Sequence, residues 1–132
     1  MLINLANRFT MSKYIIILLS VCLIACSDEN DLTADELQDE MSDIYAQMVS
    51  LTNLSCTNND SCKAAAYGVK PCGGPADYII YASIADEGRF EELRGRYNAL
   101  NAKYNELTGA ISNCAIENPP AMECISGDCQ EV

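Results

Sequence analysis

The apolar positions in the second half of the chain fall into a heptad seam. Phe90, Leu93, Tyr97, Leu100, Tyr104, Leu107 and Ile111 follow one another at alternating spacings of three and four, which draws one apolar stripe along an α-helix. Between them stand Glu91, Glu92, Arg94, Arg96, Asn98, Asn101, Lys103, Asn105 and Glu106, so the stripe is narrow and the remaining surface reads as wet. At 1.5 Å per residue the stripe is roughly 31 Å long and needs a partner element. That partner is legible upstream, where Leu37, Met41, Ile44, Met48 and Leu51 repeat the spacing. Core packing accounts for the methionines better than a cofactor box does. Thr33-Ala34-Asp35-Glu36 reads as a capping box in front of that seam, and its acids suit the positive end of the helix dipole. The pattern predicts helices over about 34 to 54 and 86 to 108, the second closed by Gly109, packed as an antiparallel hairpin with a large insertion between them. Leu100→Ala should then cost roughly 2 to 5 kcal/mol if that position is buried. Asn101→Ala on the wet face should be nearly silent, and Glu92 to Arg96 should add a weak i, i+4 pair.

The insertion is written in turn formers. Residues 55–75 carry Asn58-Asn59-Asp60-Ser61, which lacks the alternating acid pattern of a calcium loop, and Cys72-Gly73-Gly74-Pro75, which must turn sharply. No Lys-Ser or Lys-Thr follows those glycines, so they do not open a phosphate loop. Tyr78-Ile79-Ile80-Tyr81-Ala82-Ser83 is β-branched and aromatic and predicts a short strand. Ala110 to Ile116 reads as a second extended segment, and Met122 to Val132, folded about Ser126-Gly127-Asp128, reads as a hairpin. The fold class expected is α+β: a two-helix antiparallel hairpin with a small antiparallel sheet or hairpin, stapled by disulfides.

The first residues carry a different message. Tyr14 to Ala25 is a twelve-residue apolar run behind Arg8 and Lys13, with no acid before Asp28. It is too short to span a bilayer and right for the apolar core of a signal peptide. Met11-Ser12-Lys13 is already a sufficient basic start, which leaves Met1 and Met11 both open as the first residue. Leu23-Ile24-Ala25-Cys26 then resembles the lipobox of bacterial lipoproteins, which implies acylation of Cys26. The following Ser27-Asp28-Glu29-Asn30-Asp31 is similar to the acidic surface-export signal of Bacteroidota lipoproteins. The organisation expected is a signal peptide over 1–25, an acidic tether over 26–33 and one domain over 34–132. The place expected is the outer membrane, facing either the surface or the periplasm.

Export changes how the eight cysteines are read. Cys22 leaves with the signal peptide and Cys26 takes the lipid, so Cys56, Cys62, Cys72, Cys114, Cys124 and Cys129 remain. An even number in a small exported chain with a thin core predicts three disulfides, each worth roughly 2 to 4 kcal/mol. They should clamp the loops and the tail to the helix ends, with every pairing open. Zinc is disfavoured by the lack of any Cys-x-x-Cys and of any histidine.

Charge narrows the partners. Nineteen acids against eight bases give a formal charge of −11, and loss of Arg8 and Lys13 with the leader takes it to −13. A surface of that sign does not bind phosphate backbones, so nucleic acid is excluded, and contact with the membrane falls to the lipid on Cys26. Without histidine neither Ser-His-Asp nor Cys-His chemistry is available. The chain therefore reads as non-catalytic, with no cofactor and no metal. What remains is a binding module, with an inhibitor of a cationic secreted enzyme such as a lysozyme, or a structural envelope lipoprotein, as alternatives. The candidate contact residues are Gly73, Gly74, Tyr78 and Tyr81, because a rigid turn beside tyrosines gives much contact area for little lost entropy. A basic protein is the partner this field would favour.

One further resemblance rests on Val69-Lys70-Pro71-Cys72-Gly73-Gly74-Pro75 with Tyr78 and Tyr81, on Tyr97-Asn98 and Tyr104-Asn105, and on Ser112-Asn113-Cys114 with Pro119-Pro120 and Cys124. Over about 63–129 the chain resembles a group of small secreted or lipid-anchored bacterial proteins. These share a Cys-Gly-Gly-Pro turn and a helix closed by Ser-Asp-Cys; Asn113 departs from the usual Asp. The resemblance implies export and a common fold, and no activity.

Overall fold

Both helices begin where their caps demand. In the computed structural model, which describes residues 32–132, α1 spans Ala34–Ser50 and α2 spans Glu87–Thr108. The signal peptide, Cys26 and most of the tether lie outside the described residues. The Thr33 hydroxyl accepts from the Glu36 N–H at 3.3 Å, and the Glu36 carboxylate accepts from the Thr33 N–H at 2.9 Å. The Thr33 N–H foremost, and then the Thr33 hydroxyl, which donates to the same carboxylate at 2.8 Å, hold the Glu36 carboxyl below its ordinary value, so the box is complete when Glu36 is ionised. Asp86 caps α2 by accepting from the Arg89 N–H at 2.9 Å, and Gly109 ends it at φ 61° in the left-handed region.

The helices pack antiparallel, with Arg89 of α2 donating to Gln47 near the end of α1 and Arg96 reaching Glu40 one helical stretch earlier. Leu37, Met41, Ile44 and Met48 of α1 are buried, as are Phe90 and Leu93 of α2. Beyond them the α2 seam fades. Tyr97, Leu100 and Tyr104 are half-buried, Leu107 is 54% exposed and Ile111 96%. The reason is length: α1 has 17 residues and α2 has 22, so an antiparallel partner that starts at Ala34 leaves the last turn of α2 uncovered. The expected Glu92–Arg96 pair does not form, since Glu92 pairs with Arg89 at 2.9 Å and Arg96 crosses to Glu40.

α1 stops at Ser50 rather than near residue 54, because the chain after Leu51 is taken into strand pairing. The Leu51 and Asn53 carbonyls accept from the Ala85 and Ala82 N–H groups at 2.8 and 2.7 Å, joining β1 (Thr52–Asn53) to β4 (Ser83–Ile84). The predicted strand is thus divided into β3 (Asp77–Tyr81) and β4. Antiparallel to β3 lies β2 (Lys63–Tyr67), whose alanines are weak strand formers and gave no strand signal. The register puts Ala65 opposite Ile79 and Tyr67 opposite Asp77, on the face that packs against Ile44, Met48, Phe90 and Leu93. A hairpin closes the chain, β5 (Met122–Ile125) with β6 (Asp128–Glu131), turning through Ser126 and Gly127 at φ 56° and 91°. Residues 110–116 form no strand, and Ile116 is exposed.

Thr33–Val132 forms one compact unit, an α+β fold closed by three disulfides. Cys56–Cys124 and Cys62–Cys129 fasten the loop after α1 to the terminal hairpin, and Cys72–Cys114 fastens the glycine turn to the segment after α2. Gly95, inside α2, has open space where a Cβ would stand and no positive φ. Gly95→Ala is therefore expected to raise stability by about 0.5–1 kcal/mol in urea unfolding, through lower entropy of the unfolded chain.

Candidate functional site

Asparagine positions the Cys-Gly-Gly-Pro turn. Asn98, Asn101 and Asn105 lie three and four residues apart on α2 and so share one face. Asn98 Oδ1 accepts from the Gly68 N–H at 2.7 Å, Asn101 Oδ1 from the Val69 N–H at 2.6 Å, and Asn105 Nδ2 donates to the Val69 carbonyl at 2.7 Å. Lys70 Nζ then crosses to the Ala115 carbonyl at 2.9 Å and to Glu117 at 2.5 Å, beside the Cys72–Cys114 bridge. The turn closes on itself through Gly73 N–H to the Lys70 carbonyl at 2.8 Å and Lys70 N–H to the Gly74 carbonyl at 3.0 Å. Gly73 and Gly74 have φ of 90° and 84°, and a Cβ on either would meet nothing within 4 Å. Their glycine requirement is thus conformational, and the tip stands open.

The wet-face reading of Asn101 is corrected by these bonds. A buried backbone N–H that loses its acceptor costs about 1–3 kcal/mol; the Val69 N–H is half-buried, so Asn101→Ala is expected to destabilise by about 1 kcal/mol, the low end of that range, rather than be silent. Urea unfolding of the variant measures it. The signal was present in the sequence as three asparagines at helical spacing, but polar residues at such positions ordinarily face solvent.

The two tyrosines proposed to flank the turn part company. Strand alternation turns Tyr81 toward Phe90, ring centroids 6.4 Å apart, and Tyr78 to the opposite face, where its hydroxyl donates to the Glu117 carbonyl at 3.1 Å. Gly73, Gly74 and Tyr78 therefore stand about the turn and its neighbouring segment, while Tyr81 turns toward Phe90.

A larger feature runs along the flank of α1 beside its buried seam. Gln38, Ser42, Tyr45, Val49 and Thr52 form a second stripe at spacings of four and three, and it walls two hollows that share Tyr45. The first, about 500 Å³, is an apolar shelf between Val49, Leu54, Tyr78 and Ile80, with Glu131 at its edge. Tyr45, Val49 and Leu54 are 40%, 41% and 44% exposed there. The second, about 250 Å³, is lined by Gln38, Met41, Ser42, Tyr45, Tyr67 and Tyr97. Its rings touch in series, Tyr45 to Tyr67 at 5.3 Å and Tyr67 to Tyr97 at 5.2 Å. The Tyr67 hydroxyl donates to Asp77 at 3.3 Å. Burial first, then the Asp77 charge, push the Tyr67 phenol well above its ordinary value, and burial raises Tyr97 likewise. Both phenols are accordingly neutral hydrogen-bonding groups at any physiological pH.

A third hollow, about 280 Å³, lies behind the turn between Val69, Lys70, Pro71, Ala102, Asn105 and Glu106. The sulfurs of Cys56, Cys62 and Cys129 come within 4.8 Å of one another, a grouping that a soft metal would favour as thiolates. Each is bonded to another sulfur, so the lone pairs of a thiolate ligand set are not on offer. This side of the domain thus carries a glycine tip, an apolar shelf and a hollow walled by three phenol rings. The chain matches no family model, no curated protein and no solved structure.

Proposed function

We propose that the protein is a non-catalytic, lipid-anchored envelope or surface protein that binds a basic protein partner. The observation that carries the reading is the flank of α1, where Tyr45, Val49 and Leu54 stand together 40% or more exposed on a chain of formal charge −11. Apolar and aromatic groups grouped in a concave surface mark contact sites. The surrounding negative field speeds encounter with cationic partners and repels polyanions. The lipobox-like Leu23-Ile24-Ala25-Cys26 supports anchoring through Cys26, which would hold this surface at the outer membrane. Gly73, Gly74 and Tyr78 supply a second, rigid contact on the same domain.

Co-purification from detergent extracts, with lysozymes among the added baits, tests both halves. The native chain is expected to partition with membranes and retain a basic protein at moderate salt. Cys26→Ser should appear in the soluble fraction with binding intact, and Val49→Asp should remain anchored with binding lost. Recovery of Cys26→Ser in the membrane fraction would overturn the anchor. Retention that vanishes at moderate salt and ignores Val49→Asp would reduce the binding to unspecific charge attraction.

A further inference from the structure

We propose that the tyrosine hollow beside α1 receives the alkylammonium head of a lysine side chain from the partner; this deepens the basic-partner reading and rests on it. Three phenol rings, Tyr45, Tyr67 and Tyr97, meet at one hollow of about 250 Å³. An ammonium group within about 6 Å of a ring centroid is attracted by the negative face of the ring. The hollow is built for a stem as well as a head. Met41, 6% exposed, gives an apolar floor for methylene groups, and the exposed Gln38 and Ser42 side chains at the rim offer oxygen acceptors to N–H donors.

Charge selects the same ligand. Among the described residues no basic side chain lines the hollow, and the Tyr67 O–H points at the Asp77 carboxylate, so the hydroxyl hydrogen is directed away from an incoming cation. The two arginines that shortly precede Tyr97 in sequence are paired with carboxylates. Arg94 is held by Glu91 and the Ala66 carbonyl, and Arg96 by Glu40 on α1. Ring geometry favours a compact head over a flat one. The ring pairs are inclined at 37° and 74°, which leaves no parallel slot of the kind a planar guanidinium stacks into.

The experiment titrates the full chain in detergent with n-butylammonium chloride at constant ionic strength, reading the tyrosine ring resonances by NMR. Parallel titrations use n-butanol and n-butylguanidinium. Saturable millimolar shifts at Tyr45, Tyr67 and Tyr97 are expected, with n-butanol weaker by about ten-fold and n-butylguanidinium weaker than the ammonium. Tyr45→Leu keeps apolar bulk at a position already 40% exposed and is expected to weaken binding about five-fold or more. Leu54→Ser on the apolar shelf should leave it unchanged. Equal binding of n-butanol, no saturable shift, or full affinity in Tyr45→Leu would overturn the assignment. A basic protein retained equally by wild type and Tyr45→Leu removes this inference and leaves the partner reading standing. Butylammonium bound at the tyrosines with no basic protein retained removes the partner reading alone.

Discussion

Phe90→Ala is expected to lower the unfolding free energy by about 3–5 kcal/mol, the largest loss from any single side chain in the domain. Phe90 is fully buried and packs with Ile44, Met48, Ile79 and Leu93, the residues through which both helices and the sheet meet. Removing the ring takes away its transfer free energy and leaves a cavity that three different elements would have to close together. In a domain of this size that is a large share of a total stability of about 5–15 kcal/mol. Leu107→Ala is the matched comparison, because it belongs to the same seam by spacing yet is 54% exposed, and it should stay within about 0.5 kcal/mol. Urea unfolding of both variants checks the pair; similar losses would mean that the seam is buried along its whole length.

The second large effect is a non-additive one between two disulfides. Cys56–Cys124 and Cys62–Cys129 each join residues 68 and 67 positions apart, so either bridge alone would restrict the unfolded chain by about 4 kcal/mol. They interlace, however, and once one is closed the other closes a ring of only about a dozen residues, from Cys62 back to Cys56 and from Cys124 on to Cys129. By the same loop entropy its further contribution is about 3 kcal/mol. The double variant Cys62→Ala/Cys129→Ala is therefore expected to lose about 3 kcal/mol, and replacement of all four cysteines about 7, enough to leave the domain largely unfolded. Thermal unfolding of the oxidised variants measures the difference. A loss near 4 kcal/mol for each pair removed alone, summing to the loss for all four, would contradict this coupling.

The same interlacing shows why the cysteines were only half legible. Their even number and the leader expected ahead of them were enough to expect bridges, since both expectations follow from composition and local sequence. Pairing depends on which loops the fold brings together. The loop after α1 reaches the terminal hairpin through Cys129 N–H to the Leu54 carbonyl at 2.9 Å and Cys56 N–H to the Gly127 carbonyl at 2.8 Å, contacts between distant segments that no spacing announces. The contact surface divided likewise. Gly73 and Gly74 were readable because positive φ is a property of the residue itself, and Tyr78 and Tyr81 were misread as one surface because three residues along a strand is an odd step and changes face.

The sequence by itself determined what short-range periodicity and local chemistry can encode. The helix starts at Thr33 and Asp86, the stop at Gly109, the buried halves of the two seams and the terminal hairpin all depend on residues within a turn or two of one another. Only the tertiary structure decided where a seam stops being buried, because the burial of Leu107 and Ile111 depends on how far α1 extends alongside them. It alone decided that Lys63–Tyr67 would be a strand, since three alanines become one only when β3 lies beside them. It alone turned Asn98, Asn101 and Asn105 from an exposed face into the clamp of the glycine turn, because a polar side chain is structural or solvated according to whether a backbone group from elsewhere in the chain arrives within hydrogen-bonding distance.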